Sequence, residues 1–277
     1  MEQRRVLLTS DIHCTDLETW YGVSNEERME HWLRTVLREH EKQPFDLIVI
    51  PGDISLDYHQ GLSPFQKGYS TAYLFVKMYL SRLPAGVPVL VGAGNHEHFS
   101  QEVWRRITGC SRQDHFCLGK DTFILLESFR QDLGPCCEKD EIYTPLDTGY
   151  IRQLLDRYPE NRVWLISHWF DMERETEAFR SLVAREPRIR GLFCGHSHDH
   201  RLIPLGPDYG GKCIAQTGNF SYTMSGADTG GFWGFRDLVI GNDKAVSRYI
   251  MADSQVLLEG QTVRFCRRES EVAEYEL

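Results

Sequence analysis

Apolar positions in this chain come in short continuous runs separated by longer amphipathic stretches. Residues 5–9, 45–50, 87–91, 122–127, 162–168 and 189–194 are each rich in Val, Leu, Ile and Phe and only five to seven residues long. Runs of that kind suit strands covered on both faces, as in parallel sheets. Between them the apolar period lengthens to that of a helix. Over 25–43, Trp32, Leu33, Val36 and Leu37 fall on one face. A second helix is expected over 69–82, where Pro84, Gly86 and Pro88 stop it, and a third over 101–108. Asp147 and Thr148 cap a fourth that runs through 157, and 172–185 reads as a fifth. Residues 129–146 show no period.

After residue 200 the texture changes to glycine-rich turns and short strands, expected at 212–216, 235–240, 245–251, 256–258 and 262–266. The acidic stretch 269–277 reads as a solvated terminus. No repeat and no linker interrupts the chain, so a single domain over 1–277 is expected. Alternating strands and helices followed by strands imply an α/β fold with a mixed sheet or two packed sheets.

Composition narrows the function classes. The net charge of −9 over 277 residues disfavours a basic surface for nucleic acid. It leaves an anionic substrate open, because bound divalent cations reverse the local potential. No apolar run approaches the ~20 residues of a membrane helix, and Val6-Leu7-Leu8 is too short for the core of a signal peptide. The eight cysteines form no CxxC pair, which favours reduced thiols and a cytoplasmic location. Cys14 and Cys194 read as small packing residues.

The strand ends carry the chemistry. Successive runs close on Asp11-Ile12-His13, on Gly52-Asp53, on Gly94-Asn95-His96-Glu97, on His168, and on Gly195-His196-Ser197-His198. In open α/β sheets ligands sit outside the carboxyl ends of the strands. Carboxylates, imidazoles and an amide oxygen suit borderline divalent ions, and a carboxylate such as Asp53 has two oxygens with which to bridge a pair. Donors two residues apart, as in Asp-x-His and His-x-His, share a face of extended chain.

In that order the motifs resemble the signature of the calcineurin-like metallophosphoesterases. The resemblance covers residues 6–200 and implies two mixed β-sheets packed face to face and flanked by helices, a four-layer αββα sandwich. It implies two metal ions, with Mn, Fe or Zn the expected identities. Asp11, His13 and His198 would hold one, Asn95, His168 and His196 the other, and Asp53 both. A metal-bound hydroxide would attack phosphorus, His96 would meet the phosphate or leaving group, and Glu97 would orient a neighbouring histidine, His96 itself being the nearest. Serine/threonine protein phosphatases of this superfamily carry an arginine shortly after Gly-Asp and another just before Gly-Asn-His-Glu. Here those stretches are Ile54-Ser55-Leu56-Asp57 and Gly92-Ala93, without arginine. A small-molecule phosphodiester is therefore expected ahead of a monoester or phosphoprotein. A nuclease would need a basic surface, and a non-catalytic scaffold of the same fold would be expected to lack ligands. His98, Asp199 and His200 flank the motifs without a role in them. His31, His40, His59 and His115 read as solvated or structural, while Trp169, Phe170, Phe99, Phe220 and Tyr222 are candidates to line a substrate pocket. The irregular segments 54–70, 98–118, 129–146 and 219–234 are expected to set specificity.

Overall fold

Alternation within the apolar runs decides the layering. In the computed structural model, which describes residues 3–20, 23–59, 61–131, 142–221, 233–252 and 272–277, each run is a strand whose neighbouring side chains enter different cores. The strands are β1 (Arg4–Leu8), β2 (Thr19–Trp20), β3 (Val23–Ser24), β4 (Leu47–Ile50), β5 (Val89–Val91), β6 (Asp114–Leu118), β7 (Asp121–Leu126), β8 (Arg162–Ser167), β9 (Ile189–Cys194), β10 (Leu202–Pro204), β11 (Cys213–Gln216), β12 (Gly234–Ile240), β13 (Lys244–Met251) and β14 (Val272–Glu276). The helices are α1 (Asn25–Lys42), α2 (Thr71–Met78), α3 (Gln101–Thr108), α4 (Thr148–Arg157) and α5 (Glu177–Arg185).

Val6, Leu8, Leu47, Val49 and Leu90 meet Phe123, Leu125, Trp164, Ile166 and Phe193 in one buried core. Leu7, Ile48, Ile50 and Val91 face the other way, onto Trp32, Leu33, Val36, Phe75 and Trp104 of α1 to α3. Ile124, Leu126, Val163 and Leu165 likewise pack on Ile151, Leu154, Phe179 and Val183 of α4 and α5. The result is helices, sheet, sheet, helices, as the resemblance implied. One sheet has the order β14-β13-β12-β1-β4-β5, the other β10-β11-β9-β8-β7-β6. Both are mixed: β1, β4 and β5 are parallel with β12 antiparallel beside β1, and β7, β8, β9 and β11 are parallel between antiparallel edges. Strands from beyond residue 200 thus complete both sheets.

Three expectations need correction. The end of the chain is not a solvated tail: β14 pairs with β13 and buries Ala273 and Tyr275 between the sheets, leaving Val272, Glu274 and Glu276 outside. The helix expected from 172 begins at Glu177, because Asp171 turns the chain by accepting from the N–H groups of Glu173 and Arg174, and Thr176 provides the N-cap. The helix expected over 69–82 is α2 alone, capped by Ser70, followed by a short 3-10 turn. Edge strands β6 and β10 were not expected at all. The strands expected at 256–258 and 262–266, and Tyr222, lie outside the described residues.

Candidate metal centre

The carboxyl ends of β1, β4, β5, β8 and β9 meet at one place, and the backbone there is unusual. Asp11, His13, Asp53, His196 and His198 all have φ between 51° and 71°, and among the described residues no other except glycine lies in that left-handed range. That region is disfavoured for side chains bearing a Cβ, and residues held there cluster at functional sites. The glycines of the motifs are explained by contact. A Cβ on Gly94 would lie 2.1 Å from Oδ1 of Asp53, and one on Gly195 would lie 2.4 Å from Oδ2 of Asp11.

Hydrogen bonds tie the turns to one another. The N–H groups of Ile12 and His13 both donate to the carbonyl of Asp53, at 2.8 and 2.9 Å. Glu97 accepts four bonds: from the N–H groups of Asp53 (2.9 Å) and Gly94 (2.8 Å) on one oxygen, and from the N–H and hydroxyl of Ser55 (2.8 and 2.9 Å) on the other. Burial, then the charge of Asp53, pushes its pKa up to about 7. The expectation that Glu97 orients a histidine is therefore corrected, since its carboxylate braces two turns. Three fully buried arginines, which the sequence reading missed, do similar work. Arg28 donates to the carbonyls of Ile12, His13 and Phe220, Arg112 to those of Glu97 and Phe99, and Arg236 to those of Gln216 and His200. A signal existed: Arg28 lies four and eight residues before the core side chains Trp32 and Val36, and Arg236 shares a strand face with Leu238 and Ile240.

Each aspartate both holds a turn and faces the centre, and in Asp11 both oxygens accept from the N–H of His196, at 3.1 and 3.0 Å. Oδ1 of Asp53 accepts from the N–H of His96 at 3.1 Å, while Oδ2 stands 3.4 Å from Nε2 of His13, 3.2 Å from that of His168 and 3.7 Å from that of His96. Oδ2 of Asp11 accepts from the Ser10 hydroxyl and from the N–H of His196, and Oδ1 stands 3.4 Å from Nε2 of His198 and 3.9 Å from those of His13 and His168. Oδ1 of Asn95 lies 3.1 Å from Nε2 of His168 and 2.9 Å from Nδ1 of His196. The possible ligand atoms fall into three overlapping groups, Asp11–His13–His198, Asp11–Asp53–His168 and His13–Asp53–His96, so that Asp53 is shared and His96 stands among the donors, with Asn95 beside His168 and His196.

The donor set fits metal. Donors bonded to one ion at about 2.1 Å and roughly 90–110° apart would be ~3.0–3.4 Å from each other, close to most of these separations. Asp11 and Asp53 are buried, and among the described residues their ion-pair partners are imidazoles alone. Two buried carboxylates without Lys or Arg call for a cation. Without metal, protons take that part. Burial opposes ionisation of Asp11 and Asp53, yet the imidazoles hold both carboxyls below the ordinary range. Burial also opposes protonation of His168, but Asp53 and Asp11 outweigh it and raise its pKa to about 9; His13 is raised for the same reasons. Burial pushes His96 well below its ordinary value, and burial followed by the charge of His168 takes His196 down to about 4.

Other candidates fall away from the centre. His98 is buried, with Nδ1 2.8 Å from the carbonyl of Arg130, and His200 is stacked on Tyr249 at 4.7 Å. Phe99, Phe170 and Phe220 belong to the cores, so of the described aromatic candidates only Trp169 touches the site, stacked on His196 at 4.5 Å. His59, read from sequence as solvated or structural, lies against His96 with ring centroids 4.9 Å apart. Cys14 and Cys194 are buried thiols whose pKa burial pushes up to about 12, which agrees with packing.

A sequence model described as calcineurin-like phosphoesterase matches residues 4–200. The chain belongs to that family. Its members are metal-dependent phosphoesterases, and the donor groups just described occupy the matched region. No curated protein matches the chain. Solved structures similar to it include a predicted phosphoesterase from Streptococcus pneumoniae TIGR4, at 12% identity and a TM-score of 0.45 over 100% of this chain and 99% of that one. Vps29 of Entamoeba histolytica complexed with zinc aligns at 11% identity, TM-score 0.42, over 98% of each chain. Vacuolar protein sorting 29 of Cryptosporidium parvum aligns at 15% identity, TM-score 0.38, over 99% and 98%. No described helix is long and apolar enough to cross a membrane.

Proposed function

We propose that this phosphoesterase hydrolyses small phosphodiesters at a centre of two metal ions. The observation that carries the reading is the shared position of Asp53, whose Oδ2 lies 3.4 Å from His13 in one donor group and 3.2 Å from His168 in another. When bound, the ions would activate water and neutralise charge on the phosphoryl oxygens. The remaining work belongs to the chain. Glu97 and the buried arginines fix the turns so that the donors need no rearrangement to receive their load. His96 holds Nε2 3.7 Å from Oδ2 of Asp53 and 3.3 Å from the amide nitrogen of Asn95, beside the donors, and would there meet the phosphate or the leaving oxygen. Trp169 stacks on the half-buried ring of His196.

The lean toward diesters rests on the missing cations. Ala93 stands buried where an arginine would grip a dianion, and Arg28, Arg112 and Arg236 are engaged with backbone carbonyls. The net charge of −9 weighs against a nucleic-acid strand as substrate. The absence of any CxxC pair or regular cysteine framework in the sequence supports a reducing compartment such as the cytoplasm.

The test is to strip the protein with chelator, reload it with Mn, Fe or Zn, count ions per chain, and compare bis- and mono-4-nitrophenyl phosphate. Two ions per chain and faster diester turnover are expected. His96→Ala should keep metal and lose about 10²–10⁴-fold in turnover, whereas Asp53→Ala should lose both. Reloaded protein inactive on both esters would overturn the reading.

A further inference from the structure

We propose that His59 is a positioning residue for His96 and thereby controls how well the site expels poor leaving groups; the inference rests on the phosphoesterase reading above. The two imidazoles lie 4.9 Å apart at 31°, so the ring of His59 covers a face of His96. His13 meets His96 only edge-on, at 5.1 Å and 73°. On its other side His59 abuts Trp20, 5.5 Å away and nearly perpendicular. An imidazole turns readily about χ2, where wells are broad, and a ring packed against it at 31° limits that freedom.

The covering ring is itself held. The carbonyl of His59 accepts from the N–H groups of Leu62 and Ser63 at 3.1 and 3.0 Å, and its N–H donates to Leu56. The preceding residue, Tyr58, donates its N–H to the carbonyl of His96 at 3.1 Å, which ties the loop to the turn it serves. Tyr58 also packs on Phe65 and Phe99, with centroids 5.5 and 5.0 Å away. Asp57 accepts from the N–H groups of Thr71 and Ala72 at 2.7 and 3.0 Å, anchoring the loop on the first turn of α2. His59 is half-buried, whereas His96 against it is buried. The loop thus carries the ring of His59 against one face of His96. Misplacing a reacting group by about 1 Å costs up to ~10²-fold in rate.

The experiment uses the metal-reloaded full chain and methyl aryl phosphodiesters whose phenols differ in acidity. Wild type, His59→Ala, His59→Phe, His96→Ala and the His59→Ala/His96→Ala pair are compared for kcat and KM. His59→Ala is expected to lower kcat about 10-fold on the least acidic phenol, less on 4-nitrophenol, with KM unchanged. His59→Phe, which keeps a flat ring, should recover most of the loss, and the double variant should be no worse than His96→Ala. Independently of turnover, the ring 1H–15N signals of His96 should shift or broaden in His59→Ala and remain wild-type in His59→Phe. Unchanged kinetics in His59→Ala, additivity with His96→Ala, or a His59→Phe variant as impaired as His59→Ala would each overturn the proposal. If wild type hydrolyses no ester, the functional reading falls, and an unperturbed His96 spectrum in His59→Ala then overturns the positioning role as well.

Discussion

Replacing Glu97 by Gln separates a brace from a chemical group. The carboxylate accepts on both oxygens, and the amide retains only one acceptor. With that oxygen left to the N–H groups of Asp53 and Gly94, the amide nitrogen faces the N–H of Ser55 and one buried donor is orphaned. The opposite rotamer orphans two. At about 1–3 kcal/mol per buried unsatisfied group, the cheaper rotamer predicts a loss of about 1–3 kcal/mol in the chelated protein, since the Ser55 hydroxyl can turn to accept from the amide. The loosened turns carry Asp53 and Asn95, so metal affinity should also fall, by ~10–100-fold as for other residues that support ligands. Urea denaturation of the chelated protein and competitive metal titration measure the two effects. Unchanged stability and metal affinity, together with a turnover loss of ~100-fold or more, would refute the brace and return Glu97 to the reaction itself.

Other outcomes follow from the same geometry. In chelated protein the pKa of His168 rises on folding from 6.5 to about 9, so its stabilising contribution, on the order of 3 kcal/mol, is complete below pH 6.5 and gone above about pH 9. Metal must expel that proton. Apparent affinity should therefore climb with pH across this window, and calorimetry in buffers of different ionisation enthalpy should show proton release. A Cβ at residue 94 would stand 2.1 Å from Oδ1 of Asp53, so Gly94→Ala should fold but retain less metal after dialysis, a loss of at least ~10-fold in affinity. Tyr275, buried and edge-on to Trp164 at 5.2 Å, should cost about 3 kcal/mol as Tyr275→Ala without changing metal content; a neutral result in urea would mean that β14 does not dock.

The centre was legible because each part of it ends a run of apolar residues. Leu47–Ile50 can only be a covered strand, and Gly52-Asp53 then has to lie outside its carboxyl end. The inner strands were legible for the same reason. Edge strands were not: β6 reads Asp-His-Phe-Cys-Leu, half-buried throughout with Asp114 on the same face as Phe116 and Leu118, and β14 reads Val-Ala-Glu-Tyr-Glu with Val272 outside beside the glutamates, so neither gives a clean period of two. Only the partner strand reveals that Ala273 and Tyr275 are core. Glu97 was misread because sequence adjacency suggested His96 as its partner, whereas the tight turn at Gly94 brings backbone N–H groups nearer. His59 was passed over because nothing in a local pattern places it on a histidine 37 positions further along.

The left-handed backbone at Asp11, His13, Asp53, His196 and His198 has a consequence for which ions the site admits. Donors on long flexible stems can retreat to make room. Here the donors sit on short side chains, on turns wedged against glycines and tied to one another by main-chain hydrogen bonds. Enlarging the site would require the turns to move together. Calcium, which asks for oxygen donors at about 2.3–2.6 Å and six to eight of them, should be refused, and a large excess of it should leave the Mn content of loaded protein unchanged. The same strained turns that aim the donors act as a gauge of ionic radius.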